Sequence, residues 1–233
     1  GMYNFVITNP SVSRIVKKMT GFHTSRSMPT LHKTTLKKWF SKRETDSFQQ
    51  RERRVYLFCD EFTNYNDATI GITAIKLLEK LGYEVVIPKH IESGRASLSK
   101  GLLRDAKKIA NQNIELLSPY INEQTPLVGI EPSAILTFRD EYVDLSDDHN
   151  YEKAKSLAKN VFLIDEFLAA EINANRISKD LFTRDKRKIK LHGHCQQKAL
   201  SSVDVSATIL TLPENYSVDI IPSGCCGMAG SFG

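Results

Sequence analysis

At 233 residues and a net charge of +5, with 41% hydrophobic and 25% charged residues, the chain has the balance of a globular protein able to bury a core. Twelve Gly, eight Pro and only four Cys exclude collagen, low-complexity disorder and a disulfide-stapled mini-protein. No apolar run approaches the roughly 18–20 residues that span a bilayer, and the N-terminus has no signal-peptide apolar centre, so a reducing cytoplasmic setting is expected.

In chain order, residues 1–54 form a basic arm or linker. They hold 12 Lys and Arg against 3 Asp and Glu, whereas residues 55–233 hold 20 against 24. Such a segment suits phosphates, anionic lipid or an acidic partner domain, or is simply a solvated linker. Nucleic acid is not expected, because no helix-turn-helix, zinc-finger or stacking-aromatic pattern accompanies the charge. Short helical periodicities at 12–19 and 36–40 indicate an arm that packs onto a domain.

From Arg54 the rhythm changes to α/β. The run Val55 to Cys59 reads as a buried strand with Cys59 as core packing. Ile70, Ala74, Ile75, Leu78 and Leu81 lie at helical spacing and Gly82 fits the helix C-terminus. The spacing then predicts a strand over 84–87, a helix over 99–117 with Leu102 and Leu103 on its apolar face, a strand over 127–130 and a helix over 151–170. In the connection after the third strand, Ser133 is the expected N-cap and Glu131 faces the strand edge or serves a tight turn. A second run follows: strand from Ile189 to His192, a helical stretch, and strand from Val218 to Ile221. Strands alternating with helices imply parallel sheets.

The second run reads as a repeat of the first. Pro88 and Pro222 each close a strand at an offset of 134, and the triplet Glu92, Ser93, Gly94 matches Cys225, Cys226, Gly227 at an offset of 133. The offset of 134 also sets Glu61 against Cys195. The expected layout is thus 1–54 as arm, 55–180 as a first repeat and 181–233 as a second.

Cys195 and the pair Cys225 and Cys226 follow predicted strands, at the edge where parallel sheets gather ligands. Soft thiolates suit iron-sulfur clusters and zinc. His192 and His194 bracket Gly193, and alternation places both on one side with Cys195 on the other. They are candidate hydrogen-bond donors to a cluster or thiolate, or ligands of zinc, or ordinary polar groups at a strand end. Lys198 is placed to offset thiolate charge. No phosphate loop, nucleophile elbow or zinc-protease motif is present, and no residue is assigned a catalytic role.

The stretches His192 to Leu200 and Pro222 to Gly233 resemble the second cysteine-rich CCG motif of iron-sulfur oxidoreductases, the group that includes heterodisulfide reductase and the iron-sulfur component of glycolate oxidase. In particular, with 60–65, 94–101, 128–133, 139–142 and 166–168, they resemble the C-terminal part of fusions in which an FAD-linked D-lactate or glycolate dehydrogenase precedes a ferredoxin-like module. The resemblance covers nearly all of 55–233. It implies a CCG-type fold of two tandem repeats and a 4Fe-4S cluster bound by Cys195, Cys225 and Cys226. It also implies FAD on a separate domain, with the FAD-linked oxidase and ferredoxin-like domains as partners. Glu92, Ser93 and Ala134 stand where the family often has Cys, so the first repeat is expected to hold no cluster, and Gln196 stands where a His is common. The family's remaining ligand falls beyond Gly233, so the chain reads as a fragment with an incomplete site, open to adventitious zinc. The implied location is the cytoplasm, with peripheral contact to the inner face of the membrane as an option. The alternative from the residues alone is a zinc-binding or metal-free interaction scaffold.

Overall fold

A computed structural model describes residues 1–43 and 53–224. The arm begins with α1 (Met2–Thr8) and α2 (Pro10–Thr20). Asn9 separates them and caps α2 by accepting from the amides of Ser11 and Val12; Pro10 occupies the first helical position, where a missing N–H costs nothing. Gly21 ends α2 with φ of 79°. In α3 (Leu36–Lys42), Leu36 is fully buried among Val55, Leu57, Ile75 and Leu78. Gly71 faces it directly, and any Cβ there would collide with the Leu36 side chain. The arm is therefore anchored through α3.

The body runs β1 (Arg53–Phe58), α4 (Glu61–Tyr65), α5 (Ala68–Lys80), β2 (Tyr83–Val86), α6 (Arg95–Ser99), α7 (Leu103–Leu117), β3 (Leu127–Gly129) and α8 (Pro132–Ile135). It continues with α9 (Glu141–Leu145), α10 (Tyr151–Lys159), β4 (Val161–Leu163), α11 (Ile164–Asn173), β5 (Arg187–Leu191), α12 (Cys195–Leu200), α13 (Asp204–Leu210) and β6 (Tyr216–Ile220). Four strands form a parallel sheet in the order β2-β1-β3-β4, and β5 pairs with β6 in a separate parallel pair. This is an α/β architecture, as the alternation of patterns predicts.

The sheet is covered on both faces, and β1 shows why its sequence is apolar throughout. Tyr56 and Phe58 face a core with Ala110, Ile114, Leu117, Phe138 and Tyr142, while Val55, Leu57 and Cys59 face one with Ile75, Leu78, Phe167 and Leu168. Each fully buried Leu or Phe contributes about 1.5–3 kcal/mol relative to exposure.

Three expectations are corrected. The helix expected over 99–117 is two, because Gly101 turns the chain at φ of 71°. Leu102 and Leu103, placed on the apolar face by a continuous helix, are 49% and 58% exposed. The helix expected over 151–170 is interrupted by β4, whose Val161 and Leu163 are buried beside β3. Strand limits also shift: β2 starts one residue early, and β5 and β6 begin two residues before the runs at Ile189 and Val218.

Both runs follow the order strand, short helix, helix, parallel strand. From β1 to β5 and from α4 to α12 the starting positions differ by 134, and from β2 to β6 by 133. The second pair is far less covered: no residue of β5 or β6 is fully buried, and Ile220 is 40% exposed.

Candidate functional site

The strand β5 ends at Leu191, and His192, Gly193 and His194 carry the chain into α12, whose first residue is the half-buried Cys195. A Cβ on Gly193 would collide with the Val203 side chain and meet Lys198 Cε at 3.1 Å, so only glycine permits this close turn. His194 is the N-cap, its Nδ1 accepting from the Gln196 amide at 3.2 Å. The ring proton is then on Nε2, which faces Glu131 Oε1 at 3.7 Å. His192 instead turns its Nε2 to the Gly224 carbonyl at 3.3 Å. The two histidines thus serve different partners, because the strand stops before them and the alternation that would align them is lost.

Lys198, one turn into α12, donates from Nζ to the carbonyls of Ser223 at 2.6 Å and Gly224 at 3.2 Å. Its described partners are these carbonyls and the Ser223 hydroxyl at 3.4 Å. His192 and Lys198 together bring the segment after β6 against the helix that begins with Cys195. The next residues in sequence, Cys225 and Cys226, lie outside the described residues. Among the described residues no three His, Cys, Asp or Glu side chains converge as a metal site.

The corresponding edge of the first run is closed by side chains. Asp60 caps α4, accepting from the Thr63 amide at 2.8 Å and its hydroxyl at 2.6 Å. Glu61, first in α4, accepts from the Ser93 amide at 2.9 Å and hydroxyl at 2.7 Å. Tyr142 donates to the Ser93 carbonyl at 3.0 Å, and Asn113 donates to the Tyr142 hydroxyl at 2.9 Å and to the Glu92 carbonyl at 2.8 Å. Ser93 is fully buried, as is Ala134 on α8. Burial raises Asp60 to about 6 against the Thr63 hydrogen bonds, with the charges of Glu131 and Glu61 adding to the rise. Burial, then the charge of Lys37, lowers His90 to about 4. Its Nε2 accepts from the Cys59 amide at 3.3 Å. Cys59 is a core thiol, pushed by burial up to about 12 and so not a nucleophile at neutral pH.

Glu131, not Ser133, caps α8: its carboxylate accepts from the Ala134 amide and the Ser133 hydroxyl, each at 2.7 Å. The signal is present in the sequence, since the residue before a Pro at the first helical position is the natural cap. Glu166 is the other group whose role the sequence leaves open. It binds the Arg139 guanidinium, accepts from the Leu163 amide at 2.8 Å, and accepts from the Ser201 hydroxyl at 2.5 Å, so it ties α12 to the four-stranded sheet. Burial pushes its carboxyl up, but the hydrogen bonds and charge of Arg139 and the Ser201 bond outweigh this and hold it below the ordinary glutamate range.

Similarity to known proteins adds what geometry alone does not. D-2-hydroxyglutarate dehydrogenase of Escherichia coli (strain K12) is 27% identical over 99% of this chain, which spans 22% of that protein. One component of the anaerobic glycerol-3-phosphate dehydrogenase of the same strain is 23% identical over 89% of the chain and 51% of that component. Lactate utilization protein A of Bacillus subtilis (strain 168) is 29% identical over 77% of the chain and 74% of that protein. The relatives point to oxidoreductases. The chain spans about a fifth of the length of the D-2-hydroxyglutarate dehydrogenases it matches. No family profile and no solved structure matches it.

Proposed function

We propose that the chain is the iron-sulfur electron-transfer portion of a flavin-linked 2-hydroxy-acid dehydrogenase. In this reading residues 1–54 are a docking arm, 55–180 a CCG-type repeat without ligand cysteines, and 181–233 the repeat that contributes Cys195, Cys225 and Cys226 to a 4Fe-4S cluster. FAD and a ferredoxin-like centre belong to separate domains, and the setting is cytoplasmic; among the described residues no helix is long and apolar enough to cross a membrane.

The observation that carries the reading is the attachment of Ser223 and Gly224, which lead into Cys225, to the helix that begins with Cys195, through Lys198 and His192. Cys195, and Cys225 and Cys226 which follow Gly224 in the sequence, would supply three of the four thiolates that a 4Fe-4S cluster takes. The exposure of the β5–β6 pair adds support, because parallel strands are ordinarily covered on both faces. When bound, the cluster supplies one-electron transfer between a flavin and an acceptor. The chain's own part is to hold the thiolates, and in the first repeat to fill the matching edge with Glu61 and Ser93.

Electron paramagnetic resonance of reduced, anaerobically purified full-length protein tests this. One iron-sulfur signal is expected to disappear in the Cys225→Ser, Cys226→Ser double variant. Unchanged spectra, or zinc in place of iron, would instead leave an interaction scaffold.

A further inference from the structure

The arm carries charge of one sign only: residues 1–43 hold nine Lys and Arg and no Asp or Glu. Among the described ion pairs, only Arg43 of these nine has a carboxylate partner, Glu79. Helix α2 is also turned the opposite way from a helix that packs on a core. It buries Ser13 and Lys17, the latter donating from Nζ to the Thr24 carbonyl at 3.3 Å, and leaves Ile15 and Met19 60% and 82% exposed. Ile15 and Met19 stand one turn apart on one face, flanked by the exposed Arg14 and Lys18. Helix α1 buries no residue although Met2, Tyr3, Phe5, Val6 and Ile7 are apolar, and Phe5 is 61% exposed. The arm is nonetheless held in place. Asn4 exchanges hydrogen bonds with the Leu31 backbone at 2.7 and 2.9 Å, and the His32 amide donates to the Tyr65 carbonyl of α4 at 2.7 Å. Fixed contacts thus keep an apolar face turned outward, and such a face marks an interaction surface.

We propose that this face of the arm docks on an anionic lipid surface, with Ile15 and Met19 entering the boundary between headgroups and acyl chains and Arg14 and Lys18 meeting the phosphates. The inference goes beyond the electron-transfer reading and does not rest on it. Charge selects the occupant. A second copy of this chain is disfavoured, because a self-complementary interface would bring like charges together with no carboxylate in either arm to offset them. Six of the nine cations are Lys, which protein interfaces deplete, whereas at a lipid surface the long side chain buries its stem and extends the ammonium to the headgroups. With 11 residues, α2 is far shorter than the roughly 20 needed to cross a bilayer, so it lies in the interface plane. Apolar insertion and headgroup attraction are both needed, since neither alone holds a short helix on a membrane.

The test is cosedimentation of the full-length protein with vesicles of phosphatidylcholine alone and of phosphatidylcholine mixed with phosphatidylglycerol. The parent is expected to bind the mixed vesicles and not the neutral ones. The Arg14→Gln, Lys18→Gln double variant should bind them about 25-fold more weakly, at about fivefold per cation. The Ile15→Ser, Met19→Ser double variant should lose at least about tenfold. All four side chains are exposed, so circular dichroism and the thermal midpoint should stay as in the parent. Equal binding of the parent to both kinds of vesicle, or to neither, overturns the proposal. So does undiminished binding of the Ile15→Ser, Met19→Ser protein, which would make the contact electrostatic without insertion. Binding of polyglutamate in place of the mixed vesicles also overturns it, and would make the face one that docks an acidic protein. Iron counted in the same preparations separates the two readings: vesicle binding by a protein that holds no iron keeps the lipid surface and overturns electron transfer.

Discussion

Glu61 and Ser93 are joined by two hydrogen bonds, one from the Ser93 amide at 2.9 Å and one from its hydroxyl at 2.7 Å. The sequence offset sets these residues against Cys195 and Cys226, so a carboxylate and a hydroxyl meet where the second run carries thiols. Glu61→Ala leaves a buried amide and hydroxyl without acceptors and should cost about 1–3 kcal/mol. Ser93→Ala, which keeps the amide bond, should cost about 1 kcal/mol. Urea unfolding gives both values. Full stability in Glu61→Ala would mean that the bridge contributes nothing to closing this edge.

Asp60 and His90 make opposing contributions to the pH dependence of stability. The folded chain holds the Asp60 proton up to about 6, so its contribution favours folding at low pH and is lost as pH rises through that value. His90, lowered to about 4, refuses in the folded state a proton that the unfolded chain accepts, so stability is lost as pH falls below about 6.5 toward 4. Each slope approaches about 1.4 kcal/mol per pH unit, and between about pH 4 and 6 they cancel. Asp60→Asn keeps an oxygen for the cap and removes one of the two contributions. It should lose about 1–2 kcal/mol more than the parent on acidification from pH 6 to 4. Parallel pH curves would contradict the assignment.

Much of the fold is legible because burial on both faces leaves continuous apolar runs, as in Val55 to Phe58. What stays hidden has specific causes. The Val161 to Leu163 strand lies between two helical stretches whose apolar spacing continues through it, and only Asn160 marks the break. Gly101 splits a helix that the spacing of Leu102 and Leu103 would otherwise extend. At the site, the offset alone places Glu61 and Ser93 opposite the cysteine positions, but their direct contact depends on side-chain reach across 32 residues. The Lys198 contacts, across 25 and 26 residues, are illegible for the same reason.

Glu166, on α11, binds Arg139 and accepts from Ser201 at the end of α12. Glu166→Ala leaves a largely buried guanidinium with the Val161 carbonyl but no carboxylate, and should cost about 3 kcal/mol. Because Ser201 ends α12, amide hydrogen exchange should also rise over 195–210. An increase confined to the four-stranded sheet would argue that the second run is held independently.

Leu36 carries the attachment of the arm. Its side chain is fully buried against α5, so Leu36→Ala should cost about 3 kcal/mol. Limited proteolysis should then cut within 1–43 faster than in the parent. An unchanged cleavage pattern would show that α1 and α2 hold the arm without it.

In the proposed function the cluster belongs to the second run, and the Glu61–Ser93 bridge stands in its place in the first. Iron and acid-labile sulfide counted in anaerobically purified full-length protein test it most directly. Cys195→Ser should lose one cluster, about four iron and four sulfide per chain, whereas Glu61→Ala should keep the parent's count. An undiminished count in Cys195→Ser, or a cluster lost from Glu61→Ala instead, would contradict the account.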